Sequence, residues 1–216
     1  MKRAYLCDFD GTVSPTDVGS AFFAHFAAPR RAEWEAVIAE WLAGGLGARE
    51  CLERECALVR VTREDALAFT RRFRLDPAFA PFVWGARGRE DEVMVVSEGL
   101  DFYVADHLAR AGLGDLPWAA NHARFAEDGA LRAEFPHADP ACAACGNCKA
   151  QHARRYRALG YRVVMVGDGL SDRCGARAAH DVWARGELLD YCRTEGRPAR
   201  PFADFSALAD PARSPR

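Results

Sequence analysis

Three short apolar runs, Ala4–Cys7, Val93–Val96 and Val163–Val166, each stop at a polar residue and a turn, namely Asp8, Ser97 and Gly167–Asp168. Runs this short, continuous rather than alternating and rich in Val, suit strands buried on both faces of a parallel sheet. In open sheets of that kind ligands bind beyond the carboxyl ends of the strands. The chain is therefore expected to be an α/β protein whose strands deliver their first polar residues to one shared edge. Its 216 residues suit one large domain or one domain carrying an insertion.

Residues 16–75 break this pattern and read as helical throughout. Trp34, Val37, Ile38, Trp41 and Leu42 fall at helical spacing, and Gly44–Gly45 ends the stripe. Thr62 with Asp65 three residues later is a variant of the capping box ahead of Leu67, Phe69 and Phe73. A block of about 60 residues is long for one sheet crossover. The expectation is a catalytic core of residues 1–15 and 76–216 with a helical cap, 16–75, inserted over the polar edge; ordinary crossover helices are the alternative. Beyond the second strand, Asp101–Gly112 predicts a helix, and 118–135 a hairpin turning at Glu127–Gly129. Pro136, Pro140 and three clustered cysteines make a loop, so that 118–148 forms a hairpin and Cys-loop unit within the core. Asn147 can cap a helix from Cys148 to Leu159 that Gly160 closes, with Arg154, Arg155 and Arg157 near its C-terminal end. Residues 197–216, with four prolines, read as a tail along the surface.

Composition narrows the function classes. Half the residues are apolar and 28% charged, as in ordinary globular proteins, and a net charge of -2 gives no general attraction to nucleic acid or anionic membranes. No apolar stretch approaches the roughly 20 residues of a membrane span, and Asp8 interrupts the N-terminal run before a signal-peptide core could form. A cytoplasmic protein is expected. Of 29 basic residues only two, Lys2 and Lys149, are lysine, so an internal Lys stands out where Arg otherwise serves as the general cation. Three of the eight cysteines sit at 142, 145 and 148, clustering that in such a chain points to metal or thiol chemistry before disulfides.

The sharpest signal is Asp8-Phe9-Asp10-Gly11-Thr12 directly after a strand. Carboxylates at i and i+2 reach the same edge only where the chain turns, and Gly11 permits that turn. Gathering carboxylates is costly without a cation, which implies a hard, oxygen-loving ion such as Mg2+. An Asp-x-Asp pair alone could be a chance feature of a turn. Here Gly167-Asp168-Gly169-Leu170-Ser171-Asp172 follows another strand, with Ser97 and Lys149 between.

These four elements, in this order and spacing, resemble the signature motifs of the haloacid dehalogenase superfamily, with a cap inserted between the first two as in its phosphoserine phosphatase branch. The resemblance covers nearly the whole chain and implies a Rossmann-like core. It implies that Asp8 is a nucleophile forming an aspartyl phosphate, and that Asp10 is first a general acid and then a general base. Asp8, the backbone carbonyl of Asp10, and Asp168 would hold Mg2+, with Asp172, Thr12 and Gly11 in support. Ser97 and Lys149 would bind the transferring phosphoryl group, beside the positive end of the helix that starts near Lys149. The substrate would be a small phosphorylated metabolite.

Two positions depart from the phosphoserine phosphatase pattern: Glu98 stands where a glycine is common and Ser171 where an asparagine is usual. Glu98 either faces the substrate, repelling a carboxylate there, or points away to pair with an Arg. Asp17, Phe22, Glu98 and Gly99 are the substrate-pocket candidates. The stretch Ser97-Glu98-Gly99-Leu100-Asp101-Phe102-Tyr103-Val104 and the run Cys145-Gly-Asn-Cys148-Lys149 resemble a narrower group, the 2-hydroxy-3-keto-5-methylthiopentenyl-1-phosphate phosphatases of methionine salvage. Phosphoserine or an amino-alcohol phosphate such as phosphocholine or phosphoethanolamine are the rival substrates. A metal- or redox-sensing protein on a vestigial phosphatase fold is the rival of another class. Cys142, Cys145, Cys148 and His152 have spacings compatible with tetrahedral Zn2+, with His137 as a competing fourth ligand. Iron–sulfur ligation is disfavoured because no fourth Cys follows at the usual interval. The alternative is a loop of small residues whose thiols simply pack, as Cys7, Cys51, Cys56, Cys174 and Cys192 are expected to do.

Overall fold

The computed structural model describes residues 1–209. After β1 (Arg3–Cys7) come four helices, α1 (Val18–Phe26), α2 (Arg31–Leu42), α3 (Ala48–Ala57) and α4 (Arg63–Thr70). α5 (Phe79–Gly88) leads into β2 (Glu92–Leu100), α6 (Asp101–Arg110), and the hairpin of β3 (Trp118–Phe125) and β4 (Leu131–Glu134). The remainder is α7 (Lys149–Ala158), β5 (Arg162–Gly167), α8 (Arg173–Ala178), β6 (Asp181–Ala184), α9 (Gly186–Thr194), β7 (Arg200–Pro201) and α10 (Ser206–Ala209). None of the described helices is long and apolar enough to cross a membrane.

The strands form one seven-stranded sheet in the order β4, β3, β2, β1, β5, β6, β7. β4 alone is antiparallel to its neighbour. Tyr5 pairs with Val93 on one side and Val164 on the other, so the three apolar runs lie together at the centre and end at one edge. Successive strand side chains face opposite sides. Tyr5, Cys7, Val93, Val95, Val164 and Val166 enter one core, while Leu6, Met94, Val96, Val163 and Met165 enter the other. Both faces are thus covered, which is why the central run of each of these strands is apolar at every position.

β2 continues past Ser97 to Leu100, and its pairing with β3 slips between Val96 and Leu100. Such an irregularity re-aims side chains at a sheet edge, and this one falls on Ser97, Glu98 and Gly99. Among the inserted helices, α2 packs on α3, α3 beside β4 and α4 beside α6. Thr62 caps α4 as its spacing predicts, accepting from the Asp65 backbone N–H at 3.1 Å. α2 contains no fully buried residue, and Leu42 is exposed. Its apolar stripe is only half-buried, with Trp34 packed against the core.

The C-terminal stretch differs from the expected surface tail as far as residue 209. Phe202 and Phe205 are buried, and Phe205 meets Phe79 and Phe82 with ring centroids 4.8 and 5.3 Å apart. Asp76 Oδ2 also accepts the Phe205 backbone N–H at 2.8 Å. The two phenylalanines supply the apolar surface that a count of prolines overlooks; Pro211 and Pro215 lie outside the described residues.

Two predictions follow from this packing. Phe205→Ala should destabilise the protein by about 3–5 kcal/mol, the usual cost of emptying an aromatic core site; denaturant unfolding checks this, and a loss under about 1 kcal/mol would make the segment dispensable. The second concerns Glu55 of α3, which is buried and accepts from Trp34 Nε1 at 2.8 Å. Burial pushes its carboxyl up to about 8, with a smaller push from Asp17. The folded chain therefore keeps a proton that the unfolded chain loses near pH 4.5, and Glu55 draws stability down as pH rises from there to about 8. Glu55→Gln should raise the melting temperature at pH 8 more than at pH 5, and an equal change at both would show that this carboxyl does not titrate on unfolding.

Candidate active site

Lys149 is the centre of the polar edge. It opens α7, its side chain is 0% exposed, and its ammonium donates to Asp8 Oδ1 at 2.6 Å, Asp172 Oδ1 at 2.5 Å and Ser171 Oγ at 3.0 Å. Three N–H donors meet three acceptors, the full capacity of a lysine ammonium. Burial works against the charged form, but Asp172 and Asp8 outweigh it and hold the ammonium above its ordinary range. Asp172 accepts from the backbone N–H groups of Asp168 and Gly169 through its other oxygen, at 2.9 and 3.0 Å. A Cβ on Gly167 would fall 2.4 Å from that carboxyl carbon, so only glycine lets the strand end pass so close.

Asp8 and Asp168 complete a group of carboxylates with Asp172, one oxygen from each lying within 4.8 Å of the others. Thr12 Oγ1 donates to Asp168 Oδ1 at 2.7 Å. Gly11 has φ 72°, and a Cβ there would overlap the Asp168 carboxylate. Burial and Asp172 push the Asp168 carboxyl up to about 6, and the same two causes raise Asp8 against the pull of Lys149.

Asp10 turns the other way, towards α1. Its Oδ1 accepts from the Val18 and Gly19 backbone N–H groups at 2.8 and 3.1 Å, and its Oδ2 from Tyr103 Oη at 2.8 Å. Burial, followed by the charge of Asp17, pushes this carboxyl up to about 7. Ser97 Oγ lies 3.5 Å from Asp10 Oδ2 and accepts the Gly99 backbone N–H at 2.9 Å. A Cβ on Gly99 would come within 1.7 Å of Tyr103 Oη, so a side chain there would displace the group that orients Asp10.

A cavity opens against this edge. Asp8, Asp10, Glu98, Gly99, Tyr103 and Asp168 line one side; Asp17, Phe23, Ile38, Trp41, Cys51, Leu52 and Glu55, from the inserted helices and the α1 cap, line the other. The stripe on α2 thus contributes Ile38 and Trp41 to a cavity wall. Asp17 lines it as expected while capping α1, accepting from the Ser20 backbone N–H at 2.7 Å. Phe22 does not line it: it is fully buried against Phe23, Phe26 and Phe102, and its neighbour Phe23 takes the wall position. A helix turn rotates adjacent residues by about 100°, which spacing from the catalytic loop alone does not resolve.

Glu98 neither pairs with an Arg nor stands free in the cavity. Its Oε2 accepts from the Gly146 and Asn147 backbone N–H groups, both at 3.1 Å, which ties the Cys loop to β2. Burial pushes it up to about 7, and Lys149 opposes that shift. Asn147 does not cap α7. Its side-chain amide donates to the Ser97 and Ala119 carbonyls at 2.9 Å each, and His152 Nε2 sits 2.8 Å from its Oδ1.

His152 is therefore engaged away from the thiols, and His137 lies against it at 5.8 Å between ring centroids. The Sγ atoms of Cys142, Cys145 and Cys148 all lie within 4.8 Å of one another. Their fourth neighbour is Cys174, expected in the core but placed with its Sγ 3.7 Å from that of Cys145. Sequence reading also missed Tyr103 and Arg185, whose guanidinium donates to the Gly11 carbonyl, at 2.9 Å through Nε. Among 27 arginines nothing in the sequence marks that one.

Comparison with known proteins agrees with this arrangement. Residues 5–177 match the haloacid dehalogenase-like hydrolase family. The 2-hydroxy-3-keto-5-methylthiopentenyl-1-phosphate phosphatase of Brevibacillus brevis is 32% identical over 94% of this chain and 92% of its own length. That of Geobacillus kaustophilus is 34% identical over 95% and 93%. Among solved structures, a phospho-aspartyl intermediate analogue of phosphoserine phosphatase superposes with a TM-score of 0.74, at 20% identity over 96% of this chain and 97% of that one. With its motif carboxylates and lysine gathered at one sheet edge and its sequence matched over most of its length, the chain belongs to the haloacid dehalogenase-like hydrolase family.

Proposed function

We propose that this chain hydrolyses a small phosphomonoester through an aspartyl-phosphate intermediate on Asp8. It is a phosphatase of the haloacid dehalogenase family, and the observation that carries the mechanism is the buried Asp8–Lys149–Asp172 ion cluster beside Asp10 at the cavity floor. Asp8 attacks phosphorus, breaking the bond to the leaving oxygen, which takes a proton from Asp10. Asp10 then removes a proton from the water that hydrolyses the acyl phosphate and restores Asp8. The Val18 and Gly19 N–H groups and Tyr103 Oη fix the Asp10 carboxyl for both transfers. Lys149 pulls Asp8 towards its ionised form against burial and Asp172, aligns it, and with the Ser97 hydroxyl acts by its charge on the phosphoryl oxygens.

The family implies Mg2+, and the donor set fits it: hard carboxylate oxygens from Asp8 and Asp168 in a group within 4.8 Å, outnumbering the one lysine among them. Asp8, the Asp10 carbonyl and Asp168 would hold the ion, with Asp172, Thr12 and Gly11 fixing these groups. Bound there, it supplies charge neutralisation for the incoming phosphate.

For the substrate we favour 2-hydroxy-3-keto-5-methylthiopentenyl-1-phosphate, the compound in the names of the two relatives. Phe23, Ile38, Trp41 and Leu52 offer an apolar wall for an alkylthio tail. Asp17 on the same wall disfavours a free carboxylate such as that of phosphoserine. Residues 16–75 act as a cap that selects the substrate while 1–15 and 76–216 perform the chemistry.

Two measurements test these readings. With Mg2+ the protein should hydrolyse an aryl phosphate slowly, and EDTA should abolish this. Asp8→Ala should remain folded with only trace turnover, while Asp10→Asn should lose about 10²- to 10⁴-fold in rate, least for leaving groups that need no proton. Ready turnover by Asp8→Ala would exclude the covalent route. In a panel of phosphorylated metabolites, kcat/KM for the methylthio enol phosphate should exceed that for phosphoserine by at least about a hundredfold, as an uncompensated like charge implies. Preference for phosphoserine would overturn the substrate assignment, and preference for phosphocholine or phosphoethanolamine would reassign Asp17 to a cationic head group.

A further inference from the structure

We infer that Cys142, Cys145, Cys148 and Cys174 form a tetrathiolate site for a single zinc ion, which clamps α8 to the loop that carries Lys149. Three of the sulfurs come from one loop, mutually within 4.8 Å, and the fourth comes from a segment 26 residues beyond it, 3.7 Å from Cys145 Sγ. Thiolates about 2.3 Å from a tetrahedral ion have sulfur–sulfur edges of about 3.8 Å. The 3.7 Å between Cys145 and Cys174 is the edge expected of two ligands on one metal atom, and the three loop sulfurs are near enough to share it, whereas an iron–sulfur cluster holds its cysteines apart around several irons. None of the four is in a disulfide.

Main-chain donors reach three of the four sulfurs. Backbone N–H groups of Ala144 and Cys145 face the Cys142 sulfur, that of Gln151 faces Cys148, and that of Ala150 faces Cys174. Main-chain donors aimed at sulfur orient it and offset the negative charge of a thiolate-bound metal. Arg173 and Arg177 line the neighbouring cavity with Cys142, Cys145 and Cys174, adding positive charge beside a site whose zinc complex would carry about two negative charges. The histidines are occupied elsewhere: His152 faces Asn147, and His137 stacks near His152.

Position gives the site its consequence. Cys148 is bonded to Lys149 and Cys174 lies two residues after Asp172, so an ion held by both sulfurs spans the Lys149–Asp172 pair from behind. α8 already approaches closely there, for a Cβ on Gly175 would lie 2.9 Å from Lys149 Cβ. The four cysteines are positioning residues and touch no reacting atom.

Protein purified without chelator should contain about one zinc per chain, and Co2+ exchanged into it should show the intense thiolate-to-metal absorption of a tetrahedral sulfur site. Cys174→Ser should lower zinc to below about one-fifth per chain, with a fall in kcat larger than any change in KM, whereas Cys174→His, which keeps a ligand, should regain both zinc and turnover. Cys192→Ala, at a buried thiol in the other core, should retain the zinc. Iron with sulfide, a wild-type protein that takes up neither zinc nor Co2+, or zinc unchanged in Cys174→Ser would each overturn the inference. Because metal content and the Co2+ spectrum are read on the wild-type chain without substrate, they stand apart from the phosphatase reading.

Discussion

Burying the Lys149 ammonium with no solvent contact is the constraint to which the rest of the molecule answers. Removing such an ion from water costs several kcal/mol, and only close, well-directed partners offset it. The partners of Lys149, which opens α7, come from two places in the chain: Asp8 after β1, and Asp172 and Ser171 after β5. They meet because β1 and β5 are parallel neighbours that end at the same edge. An arginine could not substitute, since its planar fork cannot aim donors at three acceptors placed around a point charge. In a chain that uses Arg almost everywhere else, that geometry accounts for the one internal lysine.

Other carboxylates and amides at this edge bind main chain more than they bind cations. Asp172 gathers two N–H groups of its own loop, Asp10 two from the start of α1, and Glu98 two from the Cys loop. Each contact fixes a loop whose backbone would otherwise be held by its ends alone. Asn147 adds bonds to the carbonyls of both β2 and β3, and the Arg185 guanidinium reaches from β6 to the Gly11 carbonyl. A phosphoryl group needs stabilising charges within fractions of an ångström of their best positions. Side chains bonded to backbone provide that accuracy, because the backbone is anchored in the sheet.

How much of this could be read beforehand depended on how local the determinant was. The positions of Asp8, Asp168 and Lys149 were legible because each directly follows a strand or opens a helix, and that of Asp10 because it stands two residues beyond Asp8 at the turn made by Gly11. The central strands were legible for the same reason; β6, only four residues long, was not. Glu98 and Asn147 were singled out, but their partners lie across the fold, so the substrate or an Arg was named for Glu98 and a helix cap for Asn147 in place of the loop N–H groups and carbonyls they bind. Cys174 was taken for a core thiol since only the turn after β5 carries it back to the Cys loop. Phe202 and Phe205 were hidden among prolines for a like reason: burial is a property of the partner surface, here α5, as much as of the segment.

The two sides of the cavity are held by different forces. One side is the end of a sheet with two filled cores and an ion cluster, where any change leaves a buried charge or a void. The other is built largely from helices, of which α2 buries no residue completely and is held through Trp34 to Glu55 and through ion pairs such as Glu40 to Arg54. Exposed ion pairs contribute about 0–1 kcal/mol each. Substitutions at Ile38 or Trp41 therefore cost the fold little while changing what the cavity wall offers a substrate.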